Sequence, residues 1–218
     1  MHTLKILLTF GPASVPMDDV RRITNHSTGS LGNAMGRYFL EQNHEMIALR
    51  GEGATVPSSF PFYAFKTNQD LQRRLFELSA HFQPDLLLHA AALSDYEIES
   101  ISIPHSESTT PISVGKIASH HDRITLQLKP APKILPQLRS WFPKSTIIGW
   151  KYELEGTAEQ AITKAQQQIL QKQTDYSVIN GKAYGEGFGI CDAQQVRYPH
   201  LNALDLSKKL LTLSCIRN

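Results

Sequence analysis

The sequence predicts a doubly wound α/β fold: a mostly parallel, Rossmann-like sheet with helices on both faces and a small antiparallel appendage. Three observations carry that expectation. Short apolar runs alternate with segments of helical period from the first residues onward. The run Asp85-Leu86-Leu87-Leu88-His89-Ala90 is continuously apolar, as in strands buried on both faces of a parallel sheet. A polar, glycine-bearing stretch from Gly11 to Gly36 joins the first strand to the first helix, where open α/β sheets bind phosphorylated ligands.

Taken in order, Leu4 to Thr9 is the first strand, and a loop runs to about Ser30. Leu31, Met35, Tyr38 and Gln42 repeat at near-helical spacing. Met46 to Leu49 is the second strand and Phe62 to Phe65 a short third, with a Gly-, Pro- and Ser-rich loop between them. Leu71, Leu75, Leu78 and Phe82 mark one face of a helix that Pro84 closes. The buried strand at Asp85–Ala90 follows. Glu97 to Gly115 is polar and reads as a long mobile loop. Arg123 to Leu128 alternates, so it is a half-exposed strand in an antiparallel pair. Ile134, Leu138 and Trp141 mark a short helix, and Thr146 to Trp150 a further buried strand. Thr157-Ala-Glu-Gln160 is a capping box opening the helix along Ala161, Ala165 and Ile169. Tyr176 to Ile179 is a strand, Gly187 to Leu201 a hairpin, and Asp205 caps a last helix.

The length, 218 residues, suits one domain over 1–218 carrying a mobile loop at about 97–115. A net charge of +2 gives no electrostatic case for nucleic acid. No apolar run approaches the roughly 20 residues that span a bilayer, and no secretory pattern opens the chain, so the expected setting is cytoplasmic. Cys191 and Cys215 have neither CxxC nor Cys/His spacing, which argues against structural zinc and a disulfide framework.

The dinucleotide fingerprint G-x-G-x-x-G, the Walker A sequence and the G-x-S-x-G elbow are all missing. Gly29-x-x-Gly32-x-x-x-Gly36 serves either an anion site or close packing of a helix on a sheet. Asn25 either forms a turn or aligns a polar group of a substrate. Ala91 and Ala92 let a ligand lie against the backbone, and Asp95 either caps a helix or orients a ligand donor or hydrated cation. Lys116 ends the polar loop, where a lysine is ordinarily solvated surface, and Lys129, Lys133 and Lys151 add positive groups after successive strands; lysine binds phosphate as a mobile point charge.

In combination these stretches resemble the phosphopantothenoylcysteine synthetase (phosphopantothenate–cysteine ligase) family, in its free-standing bacterial form without the flavin-binding decarboxylase domain. The most specific match is GPxxxPxDxVRxITNHSTGxxG, present as Gly11, Pro12, Pro16, Asp18, Val20, Arg21, Ile23 to Gly29 and Gly32. AAxxDY (Ala91 to Tyr96), K-I-x-S (Lys116 to Ser119), L-x-L-K-x-x-P-K-I (Leu126 to Ile134) and Gly149-Trp150-Lys151-Tyr152-Glu153 follow in order. The chain departs from the pattern at Ala13-Ser14-Val15, where a polar T-R/S-E is usual, at Gly181 in place of Asp, and at Trp150 in place of Phe.

The resemblance implies a reaction. CTP, with Mg²⁺, activates the carboxylate of 4′-phosphopantothenate as an acyl-cytidylate, and the amine of cysteine displaces CMP. It implies catalytic roles for Asn25 and Lys116, and a nucleotide site from Gly11, Ser27, Gly29, Ala91, Asp95, Gly149 and Trp150, with Lys129 and Lys133 as phosphate binders. It implies no flavin, no catalytic role for either cysteine, and a homodimer paired near the exposed strand after Gly115. Two other classes are weighed beside it: a non-catalytic nucleotide-binding homologue and an NAD(P)-dependent oxidoreductase. The second lacks both G-x-G-x-x-G and a Tyr-x-x-x-Lys pair.

Overall fold

The computed structural model describes residues 3–103 and 115–214. In chain order these form β1 (Lys5–Pro12), β2 (Ser14–Pro16), β3 (Arg22–Thr24), α1 (Ser30–Glu41), β4 (Glu45–Gly51), β5 (Tyr63–Phe65), α2 (Asn68–Ser79), β6 (Leu86–Ala92) and β7 (Tyr96–Ser102). Then come β8 (Thr125–Pro130), a 3₁₀ turn (Leu135–Gln137) running into α3 (Leu138–Trp141), β9 (Thr146–Tyr152), α4 (Ala158–Lys172), β10 (Tyr176–Asn180), β11 (Phe188–Cys191), β12 (Val196–Leu201) and α5 (Ala203–Leu213).

The main sheet has eight strands in the order β12-β11-β10-β9-β6-β1-β4-β5. The six from β5 to β10 are parallel, and β11 and β12 add antiparallel at one edge. Counted along the chain, the parallel strands lie in the order 3-2-1-4-5-6, the arrangement of dinucleotide-binding sheets. Side chains alternate across the central strand. Ile6, Leu8 and Phe10 meet Met35 and Phe39 of α1 and Leu206 and Leu210 of α5. Leu7 packs instead with Leu71 and Leu75 of α2 and with Leu138 and Phe142. The sheet is therefore covered on both faces, which is why β1, β6 and β9 read as near-continuous apolar runs.

Two small antiparallel pairs stand outside the main sheet: β2 with β3, and β7 with β8. Both revise expectations. The segment from Gly11 to Ser30 is not simply a loop, because Ser14 pairs with Thr24 and Val15 with Ile23. The stretch expected to be a mobile loop from Glu97 begins as β7, whose Ile98 and Ile101 bury against Val15. The two buried residues stand three apart, across an irregularity in the pairing, so no strict alternation marks the strand. The remainder of that expected loop, 104–114, lies outside the described residues, as does Cys215.

Caps behave as local chemistry dictates, with one change. Thr157 and Gln160 form the reciprocal capping box on α4. The last helix is capped by Asn202, whose side chain accepts from the Asp205 N–H at 2.9 Å, rather than by Asp205. The helix α2 ends at Ser79, so Phe82 lies beyond it although it joins the same core.

Candidate active site

In this strand order β1 and β6 are neighbours whose following connections leave in opposite directions, so a crevice opens beyond their carboxyl ends. Gly11 pairs with Ala91 and Pro12 with Ala92 at those ends. A cavity of about 330 Å³ lies there, and its lining brings together four of the predicted residues: Ala91, Asp95, Lys133 and Trp150. Leu93, Ser94, Asn68, His89, Gln168 and Lys172 line it as well.

The short β2–β3 hairpin delivers Asn25 to the rim. Its carboxamide Nδ2 donates to the Leu93 carbonyl at 2.9 Å, so two separate sequence motifs meet at the end of β6. Asn25 caps no helix. Asn25 is exposed, and its side-chain oxygen and second N–H have no hydrogen-bond partner among the described residues. Asp95 caps no helix either. It precedes β7, its backbone carbonyl accepts from the Ala131 N–H at 2.9 Å, and its carboxylate ion-pairs with Lys133. Their side chains are 79% and 54% exposed, so this pair contributes little to stability and parts at small cost to meet a ligand.

β9 and α4 form another part of the lining. Glycine at 149 lets two side chains sit close on β9: a Cβ there would lie 2.9 Å from Gln168 Nε2 and 3.3 Å from a Leu135 methyl. Trp150 lines the cavity, and its indole Nε1 is buried without a hydrogen-bond partner among the described residues. His89, on β6 beside Gly149, is 6% exposed, and its Nδ1 lies 2.8 Å from Thr9 Oγ1. Burial pushes its pKa down to about 4, so at neutral pH it is an uncharged group on the cavity wall. The lining's charges are thus two lysines and one carboxylate. Lys133 is engaged by Asp95, whereas Lys172, half-buried at the end of α4, has no ion-pair partner among the described residues.

The other predicted residues lie apart from this lining. Gly11 (φ 79°) and Gly29 (φ 77°) are buried, and a Cβ on either would press on Ala54. The loop after β4 occupies that place, with Val56 N–H donating to the Thr28 carbonyl at 3.2 Å. Arg50 holds this loop through the carbonyls of Ala54 (2.7 Å) and Val56 (2.9 Å). Gly32 serves packing, since a Cβ would run into Phe10. Ser27 is half-buried beside Gly29. Lys129 pairs with Glu97 at 3.5 Å on the β7–β8 ribbon.

Lys116 is exposed and follows Gly115, while its neighbour Ile117 is clamped to the first motif. Asp18 Oδ2 accepts from Ile117 N–H at 3.1 Å, and Arg21 donates to the Ile117 carbonyl at 2.8 Å. The Asp18 side chain is 2% exposed and bonds Arg21 at 2.5 Å. The Arg21 guanidinium, helped by backbone N–H groups, holds the Asp18 carboxyl well below the usual carboxylate range.

Sequence reasoning missed Asn68, His89, Gln168 and Lys172. Lys172 had a legible signal, a lysine in the last turn of a capped helix, but helix-end lysines ordinarily serve the macrodipole. The others carry none: Asn68 and Gln168 reach the crevice only because α2 and α4 cross over the sheet, and His89 reads as one more residue of a buried strand. As for Mg²⁺, no cluster of three or more His, Cys, Asp or Glu side chains suited to a metal occurs among the described residues. Asp95 is the cavity's single carboxylate. That donor set fits an ion held chiefly by triphosphate oxygens and water, with one protein carboxylate.

Among known proteins, the coenzyme A biosynthesis bifunctional protein CoaBC of Methanocaldococcus jannaschii is 26% identical over 176 residues, covering 81% of this chain and 40% of that protein. CoaBC of Thermococcus kodakarensis is 26% identical over 189 residues, 83% of this chain and 42% of that protein. The chain thus spans less than half the length of these relatives. The solved DNA/pantothenate metabolism flavoprotein of Streptococcus pneumoniae superposes with a TM-score of 0.82 at 24% identity, over 97% of this chain and 98% of that one, which shows a shared fold. A Cab2 variant in complex with phosphopantothenate-cysteine superposes with a TM-score of 0.71 at 17% identity, over 97% of this chain and 89% of that one. The family model described as the DNA/pantothenate metabolism flavoprotein C-terminal domain matches residues 1–203, and the chain belongs to that family.

Proposed function

We propose that the chain is a phosphopantothenate–cysteine ligase of coenzyme A biosynthesis, using CTP with Mg²⁺. One observation supports this most: Asn25, from the ITNHSTG stretch, bonds the Leu93 carbonyl at the rim of the cavity that Ala91, Asp95 and Lys133 line. The CoaBC name of the relatives and the phosphopantothenate-cysteine held by a structural neighbour point the same way.

A carboxylate resists attack by an amine until one oxygen becomes a good leaving group. In the proposed first step a carboxylate oxygen of 4′-phosphopantothenate attacks the α-phosphorus of CTP, and pyrophosphate leaves. In the second, the cysteine amine attacks the acyl carbon of the acyl-cytidylate, loses a proton, and CMP leaves. No protein nucleophile is required. The protein's part is to bind and neutralise. Lys133, released from Asp95, and Lys172 offset phosphate charge, and Asp95 is free for the ion that travels with the triphosphate. Asn25 offers its free oxygen and N–H to the acyl end. Lys116 adds a positive charge from the segment anchored by Asp18 and Arg21. Neutral His89 adds no charge.

We further propose a cytoplasmic homodimer. The β7–β8 ribbon presents Tyr96 (57% exposed) and Leu128 (48% exposed), apolar side chains that a partner subunit would cover. No described helix is long and apolar enough to cross a membrane.

The test is to incubate the protein with phosphopantothenate, cysteine, Mg²⁺ and either CTP or ATP, following pyrophosphate, CMP and AMP. Pyrophosphate release with CTP and little with ATP is expected. Absence of pyrophosphate with both nucleotides would sink the ligase reading, and faster release with ATP would overturn only the choice of nucleotide.

A further inference from the structure

We propose that Asn68 is a positioning residue that holds the two walls of the nucleotide cavity in register. The inference rests on the reading of that cavity as a nucleotide site. Asn68 is the first residue of α2, after the cap Thr67, and it is 4% exposed. Its Nδ2 donates to the Ser94 carbonyl at 2.8 Å and to the Pro132 carbonyl at 3.2 Å. Its Oδ1 accepts from the Ser94 N–H at 3.2 Å. One carboxamide therefore ties the segment leaving β6 to the segment leaving β8.

The residues immediately after these anchors are Asp95 and Lys133, the charged pair on the cavity wall. Their ion pair is too exposed to order the two segments by itself. The buried amide bonds are worth more, because breaking them strands polar groups away from water. Besides Asn68, the backbone bond from Ala131 N–H to the Asp95 carbonyl ties the same segments. A second cavity, of about 290 Å³, lies between β2, α2 and the start of β7, and Asn68 and Ser94 line both. The carboxamide is thus part of the partition between them. With three of its hydrogen-bonding positions engaged by the backbone, it acts on a ligand through Asp95 and Lys133 rather than by contact.

Two substitutions separate this role from support of α2. Asn68→Ala removes all three bonds. Asn68→Asp keeps the size and one acceptor but turns an oxygen toward two carbonyls. A carboxylate at a helix N-terminus favours α2 itself, so the helix is preserved while the tie breaks. Titration calorimetry with CTP and, separately, ATP in Mg²⁺ buffer should show Kd raised about tenfold in both variants. The KM for nucleotide should rise in parallel, with kcat at saturating nucleotide little changed. Lys133→Gln should weaken binding in the unsubstituted protein and weaken it much less in the Asn68→Ala background.

Unchanged Kd in either folded variant, or additive effects with Lys133→Gln, would overturn the proposal. If Asn68→Ala fails to fold, Asn68→Asp decides. Failure of both to fold would also overturn it, by making Asn68 a folding residue. Absence of binding by the unsubstituted protein to either nucleotide defeats the nucleotide reading, a result distinct from all of these.

Discussion

His89 makes stability depend on pH in a window that the protein's carboxylates leave clear. The imidazole is buried on β6 and its pKa falls from 6.5 to about 4 through loss of solvation. A base with a depressed folded pKa binds fewer protons when folded than when unfolded. Its stabilising contribution is complete above the unfolded value and is lost as pH falls toward the folded one. The full shift corresponds to roughly 3 kcal/mol, and the portion lost between about pH 8 and about pH 5 is about 2 kcal/mol. His44 is shifted down by burial too and adds in the same direction. Asp18, Asp70, Glu153 and Asp192 all have lowered pKa values, so their contributions are lost from the ordinary carboxylate range downward. Urea unfolding from about pH 8 to about pH 5 therefore isolates the histidines. His89→Asn, which keeps a polar group near Thr9, should remove most of the slope and leave the His44 share. An equal slope in both proteins would refute the argument that burial holds His89 neutral.

Three other outcomes are expected. Lys172→Gln should raise the KM for nucleotide by about tenfold, the effect of one lost charge-assisted bond, with kcat nearly unchanged; an unaltered KM in steady-state assays would remove Lys172 from the phosphate site. Asn25→Asp should let the acyl-nucleotide form and transfer poorly to cysteine, visible as pyrophosphate release outrunning product in a quench experiment; equal loss of both half-reactions would discard that role. Gly32→Ala should destabilise the fold by about 1–3 kcal/mol through collision with Phe10, outweighing the up to about 1 kcal/mol that alanine gains over glycine in a helix; a raised urea midpoint would show that α1 can shift.

Much of the scaffold was legible because one physical signal dominates it. Strands covered on both faces must be continuously apolar, and α2 and α4 bury one stripe each, so their periods survive in the sequence. The capping box at Thr157 is local chemistry between residues three apart, and it forms as read. The strand β7 escaped notice because it buries only two side chains, Ile98 and Ile101, among polar neighbours. The hairpin β2–β3 escaped because three-residue strands carry too few alternations to register. The motif from Gly11 to Gly36 reads as one site in sequence and separates in space. Gly11, Gly29 and Gly32 let Ala54 and Phe10 come close, while the Asn25 side chain bonds the Leu93 carbonyl just past the end of β6.

By itself the sequence determined the class of sheet, most of its strands and helices, the family resemblance and the residue types suited to a charged ligand, because period, capping and motif order are properties of neighbouring residues. The tertiary structure alone decided which of those residues share a cavity. Asp95 meets Lys133, Asn68 joins Ser94 to Pro132, and Lys172 arrives from the far end of α4, while Lys116 stays outside the lining, just before Ile117, which Asp18 and Arg21 clamp. These pairings span tens of residues along the chain. They are set by strand order and by the faces on which the helices pack, and no local pattern encodes either.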